Sequence, residues 1–262
     1  MDNPALWRDT IVALRFFSRL PLPILPGETD PHGLPDFTRL IRVVPLVGLV
    51  LGGLAGAVLI TAALVWQPLI AALLCVGAAA VMTGAFHEDG LADSADSLGG
   101  MSRERRLDIM KDSRIGTFGA TALIIGLGLR VAALAGLVAS VGAGRTALAL
   151  AAAGAVSRTV ALGLQVRLPP ARVEGAAYAT GQPRSEDWYR ALALTGLIAL
   201  LAVPAGGWAG LVLGLVVAGL VLVLAIRFAE AHVGGQTGDI TGATQQVIEI
   251  AMLLTLLAFA AP

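Results

Sequence analysis

The sequence predicts an all-α, polytopic membrane helix bundle of about seven transmembrane helices with an amphipathic helix at its N-terminus. Three observations carry that reading: a mean hydropathy of +0.81, a charged fraction of only 14%, and a series of long apolar stretches. A soluble domain carries roughly 25% charged residues, so the charge here could not cover a water-facing surface. The hydrophobic fraction of 56% excludes disorder, and one cysteine excludes a disulfide scaffold. Eighteen basic and eighteen acidic side chains cancel, which gives no support to electrostatic nucleic-acid binding.

Crossing a ~30 Å hydrocarbon core takes about 20 mostly apolar residues. Candidate spans are Val43–Val65, Pro68–Phe86, Thr117–Ala139, Arg145–Val166, Ala191–Gly207, Trp208–Phe228 and Val247–Ala261. Trp66-Gln67-Pro68 divides the first two, and Pro204-Ala205-Gly206-Gly207 the fifth from the sixth. Gly and Ala within the spans suit close helix packing in lipid. The whole chain, 1–262, reads as one membrane-embedded domain.

The N-terminus does not read as a signal peptide: Asp2 and Asp9 open it, Arg15 breaks its apolar run, and no small-residue cleavage site follows. Trp7, Ile11, Leu14 and Phe17 recur at helical spacing, with Arg8, Arg15 and Arg19 largely on another face. That pattern predicts a helix lying in the interface, stopped by Pro21, Pro23 and Pro26. Orientation follows from Lys and Arg in short loops. With the N-terminus inside, segments 1–42, 87–116, 167–190 and 227–246 are cytoplasmic and hold 15 of the 18 basic residues. Arg130, Arg145 and Arg158 lie within spans or at their outer edge.

The chemistry gathers on the same side. In Phe86-His87-Glu88-Asp89-Gly90-Leu91-Ala92-Asp93-Ser94-Ala95-Asp96, continuation of the second span as a helix puts Asp89, Asp93 and Asp96 at i, i+4 and i+7 on one face. Carboxylates held so close repel unless a cation neutralises them, and Mg²⁺ takes oxygen ligands shared between carboxylates and substrate phosphates. The alternative is a solvated acidic helix end pairing with nearby arginines. Gly234-Gly235-Gln236-Thr237-Gly238-Asp239-Ile240-Thr241-Gly242-Ala243 lies on the same side. Asp239 could complete a metal site there, or it could cap a helix.

Lys111 and Arg114 are available for anionic oxygens, whereas Arg103, Arg105 and Arg106 read as ordinary positive-inside charges. Arg158, beside Ser157 within a span, reads as a phosphate contact, with an ion pair to an intramembrane acid as its structural alternative. Arg130 could snorkel or pair within the bundle. His87 could work in acid–base chemistry or orient a ligating carboxylate. His32 and His232 show no partner pattern, and mid-span Cys75 reads as a packing residue. Carboxylates with Mg²⁺ and arginines at a membrane face point to phosphoryl or nucleotidyl transfer.

At these residues the chain resembles the cobalamin synthase (adenosylcobinamide-GDP ribazoletransferase) family nearly end to end. The resemblance is carried by Arg15–Pro23, Phe86–Asp96, Ile109–Gly116, Ala155–Arg158 and Gly234–Asp239. It implies transfer of the cobinamide phosphate from a GDP-linked donor to α-ribazole or its 5′-phosphate with release of GMP, Mg²⁺ dependence, and residence in a bacterial inner membrane. By the same resemblance Asp89, Asp93, Asp96 and Asp239 are metal and diphosphate ligands. Asp96, Asp89 and His87 are the catalytic candidates, with Asp96 favoured as base, and Lys111, Arg114, Ser157, Arg158, Gln236 and Thr237 are substrate contacts. No ligand role is carried onto Glu88. The partners so implied are the small-molecule substrates and the bilayer, with self-association or a complex with other cobalamin-assembly enzymes left open. The acidic motif is also partly similar to that of CDP-alcohol phosphotransferases, which makes a lipid-type acceptor the nearest rival. An ion-coupled transporter is the rival of another class, but its acids would lie near the bilayer midplane in repeated halves.

Overall fold

The computed structural model describes residues 6–28, 30, 33–173 and 176–260; Asp2 and His32 lie outside them. The helices in chain order are α1 (Leu6–Phe17), α2 (Phe37–Leu40), α3 (Val44–Ala63), α4 (Pro68–Thr83), α5 (Phe86–Asp96), α6 (Arg103–Ile109) and α7 (Thr117–Val141). There follow α8 (Ala143–Ala161), α9 (Gly163–Arg167), α10 (Ala176–Ala179), α11 (Ser185–Ala199), α12 (Val203–Val233) and α13 (Gly238–Ala258). No strand occurs among the described residues, only an isolated parallel bridge between Pro170 and Gln236. The all-α expectation therefore holds.

Burial sorts the apolar helices into a centre and a rim. The most apolar window of Ala143–Arg167 is 94% buried, against 28% for Thr117–Val141 and for Ser185–Val233. α8 is thus the axis of the bundle, and α7, α11 and α12 present Ile124, Leu197 and Val212 outward, as a lipid-facing rim requires. The axial position follows from composition. In Ala-Leu-Ala-Leu-Ala-Ala-Ala-Gly-Ala-Val, residues 147–156, almost every side chain is small. On α3, Gly48, Gly52 and Gly56 repeat at i, i+4, i+8 and face α8: a Cβ on Gly52 would lie 2.7 Å from the Leu150 carbonyl, and one on Gly48 would overlap the Gly154 carbonyl. This is small-xxx-small packing, which lets two backbones touch where no hydrophobic effect drives association.

Five helices are long and apolar enough to cross a membrane, or six if α4 and α5, bent by 90°, form one broken span. The sequence reading counts about seven, and the difference lies in Ser185–Val233, which runs as one helical stretch of 49 residues. Gly207 breaks it with φ 63 and ψ −175. Trp188 on α11 and Leu222 on α12 both abut Gly163, so the chain doubles back at Gly207. The two legs are the fifth and sixth spans of the sequence reading, and the break falls at Gly207, the last residue of the Pro204–Gly207 junction expected between them.

The larger correction concerns the second span. Continuation of its helix through the acidic cluster is not observed: α4 ends at Thr83, and Gly84 and Ala85 both adopt left-handed backbone (φ 67 and 54). Ala85 pays steric strain for that conformation, and α5 leaves at 90° to α4. The N-terminal segment secures the bend. Arg19 N–H donates to Met82 O at 2.7 Å, and the Arg19 side chain fills the space a Cβ on Gly84 would need. α1 is held in turn by buried Asp9, which accepts from Arg39 Nη2 at 2.6 Å, while Leu14 and Phe17 are buried and Trp7 is exposed.

The close α3–α8 approach generates a stability test. Gly48→Ala is expected to lower the thermal midpoint of the detergent-solubilised protein, by about 1–3 kcal/mol of overpacking. Gly53→Ala, where nothing lies within 4 Å of the new methyl, is expected to leave it unchanged.

Candidate active site

α5 and α13 cross almost backbone to backbone. A Cβ on Gly90 would lie 2.7 Å from Asp239 O, and one on Gly242 would lie 3.4 Å from His87 Cα. At Gly90 only glycine allows this approach, and it sets Asp239 against the acidic helix. The chain enters α13 earlier than the sequence reading places it. Thr237 is the N-cap, its hydroxyl accepting from Ile240 N–H at 3.1 Å, so Asp239 sits in the first helical turn.

Asp89 is exposed, and Asp93 and Asp239 are half-buried. Asp93 feels the charges of Asp89, Asp239 and Asp96, and Asp239 that of Asp89. The predicted acids are therefore electrostatic neighbours on one accessible surface. Asp96 differs from the others. Its two carboxylate oxygens accept from Gly116 N–H at 2.7 Å and Gly119 N–H at 2.8 Å, which caps the N-terminus of α7. Asp239 pairs with Arg172 at 3.3 Å. Among the described residues no three acid, imidazole or thiol groups are placed closely enough to hold a metal ion as they stand. The donor chemistry, hard oxygens from two helices brought together at a glycine crossing, is nonetheless that of a Mg²⁺–phosphate site.

The cationic candidates divide. Lys111 and Arg114 are exposed in the loop before α7. Arg114 is forked onto Asp112, with Nη2–Oδ2 at 2.6 Å and Nε–Oδ1 at 3.0 Å, and this guanidinium pushes the Asp112 carboxyl down to about 2. Arg158 is buried beside Glu249 at 3.6 Å, the structural alternative weighed from sequence. Ser157 is buried with it. Gln236 is buried and bridges to the 169–171 loop, donating its N–H to Pro169 O at 2.9 Å and accepting from Ala171 N–H at 2.8 Å. Arg103 and Arg106 tie loops by donating to Ala171 O and Gly100 O. His87 is 4% exposed and stacks on Phe17 at 5.8 Å, away from the exposed side of α5.

Two features escape the sequence reading. Arg172, counted there among positive-inside charges, is the cation in direct contact with a predicted metal ligand. The other is a buried polar network. Arg130 spans Glu88 at 3.1 Å and Glu249 at 2.5 Å. Gln245 Nε2 donates to Glu249 Oε2 at 2.7 Å and to Ser157 Oγ at 2.9 Å. Two acids and two arginines make it neutral. The available signal for Glu249 was an ionisable residue inside an apolar span, which by default needs a partner.

Fold and site together define a helical membrane protein whose acidic, phosphate-suited surface lies at the ends of its spans. The cobalamin-5-phosphate synthase family matches residues 9–257. Curated relatives called adenosylcobinamide-GDP ribazoletransferase are 44% identical over 265 residues in Azorhizobium caulinodans, covering all of both chains, and 46% identical over 259 residues in Brucella anthropi, covering 98% of each. Brucella canis has another at 46% over 262 residues. No solved structure matches. The chain belongs to the cobalamin-5-phosphate synthase family, and it is a multi-pass membrane transferase.

Two substitutions test the geometry. Gly90→Ala is expected to pry α13 from α5 and cut transferase activity more than tenfold while the protein still inserts, measured on washed membranes. Glu249→Ala strands buried Arg158 and leaves Arg130 only Glu88, and is expected to cost roughly 3–5 kcal/mol, read as a large fall in thermal midpoint.

Proposed function

We propose that this chain transfers the cobinamide phosphate of adenosylcobinamide-GDP to a ribose hydroxyl of α-ribazole, or of its 5′-phosphate, with release of GMP. The acceptor oxygen attacks the phosphorus next to cobinamide, the bridging P–O bond of the diphosphate breaks, and GMP leaves with the bridging oxygen. The acceptor proton passes to a carboxylate. The observation that carries this reading is the glycine crossing of α5 and α13, which sets Asp239 beside Asp89 and Asp93 in a chain that matches the family along nearly its whole length.

Asp89, Asp93 and Asp239 would hold Mg²⁺, which when bound neutralises diphosphate charge. The remaining work falls to the chain. Arg172, at the edge of the acids, exchanges its Asp239 contact for a phosphate oxygen. Exposed Asp89 is open to the acceptor hydroxyl, whereas Asp96, with both oxygens engaged by α7 N–H groups, contributes by fixing α5 to α7. Lys111 and Arg114 steer the anionic donor from the loop. The basic-residue bias supports an active face on the cytoplasmic side of a bacterial inner membrane.

The test is nucleotide release by protein in lipid vesicles. Wild type is expected to release GMP from adenosylcobinamide-GDP with α-ribazole, to stop on chelation and to resume with added Mg²⁺. Asp89→Ala is expected to lose turnover with unchanged insertion. Wild-type rates from that variant would sink the ligand assignment, and CMP release from a CDP-alcohol would shift the reading to a lipid-type acceptor.

A further inference from the structure

The cation that touches the predicted metal ligands, Arg172, is delivered by a loop that is fixed from elsewhere in the chain. Leu168 is extended, with φ −118 and ψ 142, as a residue before proline prefers. Pro169-Pro170 then sets φ at two further positions and removes both N–H donors. The loop therefore cannot tie itself down, and the start of α13 does it instead. Gly234 adopts left-handed backbone (φ 72), and a Cβ on Gly235 would lie 2.6 Å from Pro169 O. This approach lets Gln236 N–H donate to Pro169 O at 2.9 Å and Gln236 O accept from Ala171 N–H at 2.8 Å.

Arg103 adds the third tie. Its Nη2 donates to Ala171 O at 2.9 Å, and its guanidinium occupies the space that a Cβ on Gly234 would need. Ala171, with its N–H and its carbonyl both engaged, is buried. The next residue is Arg172, whose Nη2 meets Asp239 Oδ2 at 3.3 Å. Three separate parts of the chain, α6, residues 169–172 and residues 234–239, thus converge on Ala171. A charge that only orients the protein in its membrane needs no fixed partner. Arg103 has one, and it is the residue before the cation of the site.

Resting on the transferase reading above, we propose that Arg103 is a positioning residue for the donor diphosphate: it holds Ala171 so that the Arg172 guanidinium stands at the edge of the acids, within reach of a phosphate oxygen. Arg103 itself does not touch the substrate. The physical need is for preorganisation. An arginine on an untethered loop would surrender backbone as well as side-chain freedom on binding. With the backbone fixed at Ala171, only the Arg172 side chain has to move when it leaves Asp239 for phosphate. Arg106, on the same helix, supplies the contrast. It donates to Gly100 O at 2.9 Å and His232 O at 3.1 Å, and neither acceptor belongs to the 169–172 loop.

The experiment is a double-mutant cycle in lipid nanodiscs, with Arg103→Ala, Arg172→Gln and the two combined. Calorimetry with GDP in the presence of Mg²⁺ reads the diphosphate contact without turnover. Each single substitution is expected to weaken GDP about tenfold, the worth of one charge-assisted contact, and to raise KM for the GDP-linked donor equally. KM for α-ribazole is expected to stay within about twofold. The combined variant is expected to match Arg172→Gln alone, because a residue acting through Arg172 then has nothing left to position. Hydrogen exchange at the Ala171 and Gln236 amides is expected to quicken in Arg103→Ala. Arg103→Lys, which keeps a donor for the Ala171 carbonyl, is expected to restore both exchange and donor KM. Gly235→Ala disturbs the loop from its other side and is expected to reproduce the Arg103→Ala profile, which keeps the test open where Arg103→Ala fails to insert. Arg106→Gln is expected to lower the thermal midpoint and leave donor KM unchanged. Losses that multiply in the combined variant would overturn the proposal, as would amide exchange that does not respond, or that quickens with GDP affinity unchanged. A wild type that shows the GDP coupling yet releases no GMP in the presence of α-ribazole would overturn the transferase reading alone.

Discussion

One constraint organises this molecule: four charged side chains, Glu88, Arg130, Glu249 and Arg158, share the buried centre of an apolar bundle. Each alone would be prohibitive in a low-dielectric interior, and together they are tolerable because every charge has an opposite neighbour. The network draws one residue from each of α5, α7, α13 and α8. Hydrocarbon side chains could satisfy packing at many rotations of these helices, whereas the Arg130 bridge is made at only one register. Two acids and two arginines also explain how a span as small-residued as α8 stays central. Arg158 anchors it from inside, and the Gly48–Gly52–Gly56 face of α3 closes on it from outside.

The active face is a consequence of that anchoring together with the break at Gly84–Ala85. Were α4 to continue straight, the acids would extend the span along its own axis. The left-handed pair turns α5 through 90°, so that the helix lies across the end of the bundle. Glu88 then faces inward to Arg130 while Asp89 faces out. The N-terminal segment belongs to this arrangement, since Arg19 plugs the bend and Phe16 and Phe17 pack against Phe86 and His87. Its amphipathic pattern is thus spent partly on protein. Leu14 and Phe17 are covered, and Trp7 remains exposed.

Much of this was legible in the sequence, for identifiable reasons. Long apolar runs announce spans because lipid imposes a length, and i, i+4, i+7 aspartates announce a shared face because the helical period does. Two kinds of information were missing. The bend is only half written locally: Gly84 is a left-handed C-cap glycine, but Ala85 beside it favours continuing a helix and nonetheless adopts left-handed backbone. The partners of Arg130 and Arg158 lie 42 to 119 positions away along the chain, and pairings at such separation follow from topology, not from spacing. Asp96 shows a third limit. Its spacing matches the other acids, but its oxygens are taken by α7 N–H groups that only the folded chain brings near.

The acids are absent from the aromatic-lined cavity that α5 and α13 also border. α5 presents His87 to the cavity and Asp89 to water. α13 presents Gly238 and Gly242 to the cavity, with Asp239 between them. Because Gly90 brings these helices into backbone contact, the boundary between the two environments is only one helix wall thick. Arg158 reaches that boundary from beneath, with Nη1 toward Glu249 and Nε among the buried atoms still without a partner. The same arginine therefore links the charged centre that fixes the bundle to the wall of the aromatic cavity.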